Sequence, residues 1–326
     1  MTDEVRVGVI GTGFGGAVVA PAFAAAEGCT VVDVVTPRDA DAVAALCARD
    51  DVDLVSIHSP PFLHLDHVRR AIDAGHAVHC DKPFGLNAGE SATMVDLAAE
   101  TGTLNFLNFE RRFDPGRERV RALIAEGLIG QPNHFAYSRF IATPGRPYTW
   151  LCSRELGGGW LGGQGSHLID CSRWLFGEIT EATAVLRVAR AERPDAQGDV
   201  HVCDADDGFV ASLRTESGVT AVIDCSVETP VSTPELFAIF GSDGMLVLDD
   251  DGVVLHTADG DQIPYPVDWE GKVSLVLSME RWAARICDAV RTGAPDPDWP
   301  NFADGLACAV AMDEMGRNSW PKVVEG

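Results

Sequence analysis

The chain predicts an α/β protein: a doubly wound parallel sheet, then a second domain with helices on a mostly antiparallel sheet. Three observations carry this. As far as Gly127, short apolar strand patterns alternate with helix patterns, which is how a parallel sheet covered on both faces reads. From about Gln131, strand patterns follow one another directly across turns such as Glu216-Ser217-Gly218, as in antiparallel sheets. The 326 residues suffice for two cores, and the boundary is expected between Pro115 and Gln131, giving domains 1–118 and 119–326.

Val5, Val7, Val9 and Ile10 form the first strand pattern. It ends in Gly11-Thr12-Gly13-Phe14-Gly15-Gly16, and the alanine-rich Ala17 to Ala26 follows as a helix. G-x-G-x-x-G between strand and helix is the setting that a dinucleotide pyrophosphate requires. Gly11 would make the tight turn, Gly13 would admit the pyrophosphate, and Gly16 would let helix and strand pack closely. The helix start offers N–H groups and a positive dipole end to phosphate.

Thr30 to Val35 is the second strand. The end of this strand meets an adenosine ribose in such folds. Thr36 and Arg38 suit a 2′-phosphate and Asp39 a 2′-hydroxyl, a balance tipped slightly to NADP over NAD. Arg38 as a solvated loop residue is the alternative. Ala40 to Arg49 is a helix, Val52 to His58 a strand, Phe62 to Ala74 a helix capped by Gly75, and Ala77 to Cys80 a strand. Gly89 to Thr101 is a helix, Thr103 to Asn108 a strand, and Asp114 or Pro115 opens a helix to about Glu126. Strands are then expected at His134–Ile141, Thr183–Val188, Asp207–Arg214, Val219–Ser226, Leu236–Phe240, Met245–Leu248 and Val253–His256. Helices are expected at Ser166–Phe176, Val276–Arg291 and Phe302–Gly316.

The net charge of −24 argues against nucleic acid and anionic membranes as partners. No apolar run reaches membrane-spanning length. Met1-Thr2-Asp3-Glu4 has no secretory character, and the nine scattered cysteines suggest reduced thiols and a cytoplasmic location. His64 and His67 have no companion cluster, so no metal site is expected.

Three further stretches suit chemistry. Lys82 in Asp81-Lys82-Pro83 follows a strand on the cofactor side, where a lysine can bind a hydroxyl and relay its proton. Gly157 to Asp170 packs many glycines ahead of His167, so backbone there must approach a ligand or another element. His167 opens a helix, whose dipole disfavours imidazolium and suits neutral acid–base work. Ser59-Pro60-Pro61-Phe62-Leu63-His64 lies at a strand's C-terminal end, where ligands of such sheets sit.

Together these residues resemble the glucose–fructose oxidoreductase/inositol dehydrogenase (Gfo/Idh/MocA) family. The resemblance runs through Gly11 to Gly16, Ser59 to His64, Asp81-Lys82-Pro83 (where the family usually has Glu-Lys-Pro), Asn108 to Phe113, Gly127 to Gly130, and Gly157 to Asp170. It implies a Rossmann domain followed by a C-terminal α/β domain whose open sheet often forms a homodimer or homotetramer. It implies NAD(P) and a sugar-like or polyol substrate, with Lys82 binding the reacting hydroxyl and His167 as general acid or base. Cofactor contacts are then expected from Gly11, Thr12, Gly13, Phe14, Gly15, Gly16, Thr36, Arg38, Ser59, Pro60, His64, Asp81, Lys82 and Pro83. Arg112, Trp150, Arg154 and Trp160 are candidate substrate contacts or packing residues.

Two departures stand out. The family's Asp four residues before the His is Gly163 here, which leaves three readings open: a dehydrogenase using Lys82 and His167, a redox-neutral NAD-using glycosidase or lyase, or a non-catalytic nucleotide-binding regulator. The segment after Val35 is also too short for the helix and strand the family places there.

Overall fold

The computed structural model describes residues 4–143 and 145–318; the Met1-Thr2-Asp3 start lies outside the described residues. Two compact units emerge, each described separately.

The first unit is a five-stranded sheet in the order β2-β1-β3-β4-β5, every pair parallel. Its strands are β1 (Val5–Ile10), β2 (Cys29–Val35), β3 (Leu54–Ile57), β4 (Ala77–Cys80) and β5 (Asn105–Leu107). A helical run begins at Phe14, passes a π-turn at Gly15–Val19 and continues as α1 (Ala20–Ala25). It is followed by α2 (Ala40–Cys47), α3 (His64–Asp73) and α4 (Ala88–Thr101). Asp39 caps α2 by accepting from the backbone N–H of Asp41 and Ala42, and Asn87 caps α4 through Glu90 N–H. From edge strand β2 the chain passes through α2 alone to β3, on the other side of β1. The short segment after Val35 therefore holds one helix and no strand.

The second unit begins with α5 (Pro115–Ala125), whose first turn Asp114 caps through Arg117 N–H. An eight-stranded sheet follows, ordered β15-β14-β13-β12-β6-β11-β10-β7. Its members are β6 (Pro132–Phe140), β7 (Ile179–Arg187), β10 (Gly208–Thr215), β11 (Thr220–Ser226), β12 (Leu236–Gly241), β13 (Gly244–Asp249), β14 (Gly252–Thr257) and β15 (Gln262–Pro266). Only β6 and β11 pair in parallel. Helix α6 (Ser166–Phe176) lies between β6 and β7, and β8 (Glu192–Pro194) with β9 (Val200–Val202) makes a separate hairpin. That hairpin and β15 were not anticipated, because runs of three to five residues, two of them holding proline, are too short to establish a period.

The chain closes with α7 (Ser274–Thr292) and α8 (Phe302–Asn318). The units part at Phe113/Asp114, and Lys272–Ala309 returns to the first unit. The continuous second domain 119–326 expected from sequence is thus interrupted. The cause is the apolar stripe of α7: Met279, Trp282, Ala283, Ile286 and Cys287 are buried in one core with Val5, Val7, Val19 and Phe23. Trp282 stacks on Phe113 with centroids 4.5 Å apart. Truncating such a fully buried Trp costs about 3–5 kcal/mol.

Candidate active site

In the first unit the parallel ladder runs one residue past each strand at its C-terminal edge. Gly11 N–H donates to Val35 O, His58 N–H to Ile10 O, Asp81 N–H to Ile57 O and Asn108 N–H to Cys80 O. Gly11, His58, Asp81 and Asn108 therefore stand side by side where open α/β sheets bind ligands.

The glycines of the first loop do different work. Gly11 has φ +137°, and a Cβ there would lie 2.6 Å from the His58 carbonyl oxygen. A Cβ at Gly15 would lie 2.9 Å from His58 Cβ and 3.2 Å from Val9 Cγ1. A Cβ at Gly16 would meet nothing nearer than 3.6 Å. Close helix–strand packing therefore requires Gly15; the expectation that Gly16 serves it is corrected. A Cβ at Gly13 would meet nothing within 4 Å, so the loop faces open space there. That space, between exposed Thr12 and the helix start at Phe14, fits a dinucleotide pyrophosphate. Thr36 and Arg38 are exposed just beyond β2, while the Asp39 carboxylate is engaged in capping α2.

Ser59 and Pro60 are buried. Ser59 Oγ lies 3.0 Å from His67 Nδ1. His64 is also buried, with Nε2 2.7 Å from Ser59 O and Nδ1 2.9 Å from Phe84 O. Burial pushes its pKa down while the two carbonyls pull the other way. His64 is thus a brace between two loops. A lone sequence gives no sign that both ring nitrogens are spent on backbone.

Lys82 sits on the turn after β4, ahead of a cis peptide to Pro83. Asp81 Oδ1 accepts from Lys82 N–H at 2.9 Å and from Asn108 Nδ2 at 3.2 Å. Asp81 Oδ2 lies 3.2 Å from His58 Nδ1. Burial alone would raise Asp81; the His58 hydrogen bond, with Lys82 and Asn108, outweighs it and holds the carboxyl well below the usual range. Burial lowers the Lys82 pKa, opposed by Asp81 and Glu110. Glu110, unremarked in the sequence, is 2% exposed, and burial pushes its carboxyl up to about 7 against the pull of Arg111 and Lys82. A lysine below its ordinary pKa among carboxylates is poised to share a proton with a substrate hydroxyl.

Arg112 is buried, donating to Asp298 O at 3.1 Å and Asp304 Oδ1 at 2.9 Å. It pins the C-terminal segment of its unit, which favours the packing alternative weighed for it.

In the second unit, helical structure begins at Trp160, passes a π-turn at Leu161–Gly165 and continues as α6. His167 is therefore seven residues inside the run and buried, so the helix-start dipole expected to act on it does not. Asp170, one turn on, is buried as well. The neighbouring glycines are demanded by the chain itself. A Cβ at Gly158 would lie 2.4 Å from Trp150 O, one at Gly159 2.3 Å from Asp206 Oδ1, and one at Gly165 2.8 Å from Leu161 Cδ1. Asp206 starts the helix by accepting from Leu161 N–H at 2.8 Å, and burial raises its carboxyl to about 6. Gly163 differs: a Cβ there would meet only Trp160 at 3.5 Å and Leu151 at 3.9 Å, ordinary contacts. Trp150 and Trp160 are half-buried and Arg154 is exposed.

No helix among the described residues is long and apolar enough to cross a membrane, and no group of three metal-ligating side chains occurs among them.

Two domain families match the chain: "Oxidoreductase family, NAD-binding Rossmann fold" over residues 5–109 and "GFO/IDH/MocA C-terminal domain" over residues 118–247. An uncharacterized oxidoreductase of Synechocystis sp. is 33% identical over 77% of this chain and 73% of its own length. Inositol 2-dehydrogenase of Rhizobium meliloti is 30% identical over 92% of this chain and 85% of its own length. Among solved structures, levoglucosan dehydrogenase in complex with NADH and L-sorbose superposes with a TM-score of 0.83 at 22% identity, covering 98% of this chain and 99% of that one. The chain belongs to the Gfo/Idh/MocA family of NAD-binding oxidoreductases.

Proposed function

We propose that the protein is an NAD(P)-dependent dehydrogenase or reductase acting on a CH–OH group, or its ketone, in a sugar, polyol or related compound. The observation that carries this is Lys82: partly buried, held by Asp81, on the same sheet edge as the open loop at Gly13. Inositol and levoglucosan dehydrogenases among the similar proteins support a sugar-like substrate. Gly11 to Gly16 would hold the pyrophosphate, with Ser59, Pro60, Asp81 and Pro83 around the rest of the dinucleotide. Bound nicotinamide supplies the hydride acceptor or donor. Lys82 binds the reacting hydroxyl and shares its proton, and His167 acts as general acid or base.

Arg38, exposed and without an ion-pair partner among the described residues, supports the slight lean to NADP. NADH in the levoglucosan dehydrogenase complex supports NAD instead. Binding measured against both cofactors separates the two.

Substituting Lys82→Ala abolishes turnover on a sugar and polyol panel while cofactor affinity stays within about threefold. A variant that keeps its rate removes the mechanism. A second reading rests on Gly163: without that carboxylate the enzyme is redox-neutral, returning the hydride within one turnover, or a non-catalytic regulator. Tight cofactor binding with no net change in reduced nicotinamide on any substrate would select it.

The protein is further proposed to be a cytoplasmic homodimer or homotetramer through the eight-stranded sheet. One face of that sheet exposes Val185, Val210 and Val222 on adjacent strands, with Val210 opposite Val185, and Leu236 and Phe240 on β12 beyond β6. Such exposed apolar side chains on one sheet face are what a second copy would cover. A monomer in sedimentation at micromolar concentration would refute this.

A further inference from the structure

Beneath the Lys82 turn lies a buried polar ring that the proposed chemistry does not use. Ser56 and His79 are register partners on β3 and β4. Two residues on, past the strand ends, the same pleat face carries His58 and Asp81. Ser56 Oγ lies 2.8 Å from His58 Nε2 and 2.9 Å from His79 Nδ1. His58 Nδ1 reaches Asp81 Oδ2 at 3.2 Å, and Asn108 Nδ2 donates to Asp81 Oδ1 at 3.2 Å. Ser56, His79 and Asn108 are fully buried, and His58 nearly so. Two histidines and a serine in the centre of a parallel sheet are costly unless their hydrogen bonds are satisfied.

His58 also touches the first loop. Its ring faces Phe14 at 5.9 Å, and its backbone and Cβ are the atoms that forbid side chains at Gly11 and Gly15. One residue thus contacts both the dinucleotide loop and the carboxylate that holds the Lys82 turn.

We propose that His58 is a positioning residue for Lys82: anchored from behind by Ser56 and His79, it donates to Asp81 and so fixes the turn that presents the lysine. The inference rests on the dehydrogenase reading for its kinetic consequence, though not for its hydrogen-bond pattern.

The pattern follows from the chemistry of the groups. Ionised Asp81 has only lone pairs, so His58 Nδ1 must carry a proton. With that proton facing Asp81, the ring is held from behind at Nε2 by Ser56 Oγ, which His79 Nδ1 holds in turn.

The test uses the unmodified protein first. ¹⁵N spectra of histidine-labelled protein at pH 8 are expected to show Nδ1 protonated at His58, assigned through His58→Asn. A bare Nδ1 at His58 overturns the proposal. Kinetically, His58→Ala is expected to lower kcat on the order of 10²-fold, with cofactor Kd from calorimetry changed less than about threefold. His58→Asn places an amide N–H where Nδ1 stood and is expected to restore most of kcat. Equal loss in both folded variants, or parallel loss of cofactor binding, would mean a merely structural histidine. Should the unmodified protein turn over no sugar or polyol, the dehydrogenase reading fails, while the ¹⁵N pattern still decides whether His58 holds Asp81.

Discussion

The loops Gly11 to Gly16 and Gly157 to Gly165 look alike in sequence and differ in what their glycines face. In the second loop, side chains at Gly158, Gly159 and Gly165 would collide with the protein itself, at 2.4, 2.3 and 2.8 Å. In the first, Gly11 and Gly15 are likewise demanded by the chain, but a Cβ at Gly13 would meet nothing within 4 Å. A glycine where the fold has room for a side chain, as at Gly13 and Gly163, is not demanded by packing. At Gly13 the proposed reason is the dinucleotide's approach; at Gly163 the resemblance to the family points to the place of a carboxylate.

The sharpest way to break this contrast is a pair of alanine substitutions. Gly11→Ala forces a side chain onto positive φ and into the His58 carbonyl, so several kcal/mol of stability are lost in denaturant unfolding. Gly13→Ala leaves stability within about 1 kcal/mol, yet cofactor affinity falls at least about tenfold by calorimetry, because the pyrophosphate can no longer approach the backbone. If Gly13→Ala binds as tightly as the unmodified protein, the open space is not the cofactor's.

A second test lies at Glu110. Its folded pKa is raised to about 7 from 4.5. Folding is then favoured by protonation: the stability tied to the neutral form is full below about pH 4.5 and is lost as pH rises through about 7. Glu110→Gln is expected to match the unmodified protein at pH 4 and to exceed it by about 3 kcal/mol at pH 8 in urea melts. An equal gain at both pH values would refute the ionised, buried carboxylate.

The smallest structural effect is expected at Gly163. The Cβ that Gly163→Asp adds meets only ordinary contacts, so the melting temperature should change little, while restoring the family's carboxylate raises kcat by about tenfold. A large loss of stability would show that Gly163, like Gly158 and Gly159, is held by packing.

Much of the fold was legible in sequence because its signals are local. Buried strands such as Val5–Ile10 and Ala77–Cys80 are short apolar runs between turn residues, and Ser166–Phe176 carries its own helical periodicity. The return of α7 to the first unit was not legible, since the partner of an apolar stripe is a tertiary matter. The same holds in the site. Gly11 to Gly16 and Asp81-Lys82-Pro83 announce themselves as motifs. The ring under Lys82 needs the Ser56–His79 register, which no single strand encodes. A sequence signal did exist: polar residues two apart, Ser56/His58 and His79/Asp81, in strands otherwise apolar. Likewise His64 and Arg112 read as ligand contacts because their buried partners, Phe84 O and Asp304, lie far along the chain.

The most direct test of a dinucleotide on the Gly11 to Gly16 loop is titration calorimetry of the unmodified protein with NADP(H) and NAD(H). Binding of at least one with Kd on the order of micromolar, weakened by Gly13→Ala, is the predicted result. No binding of either cofactor to folded protein would contradict it.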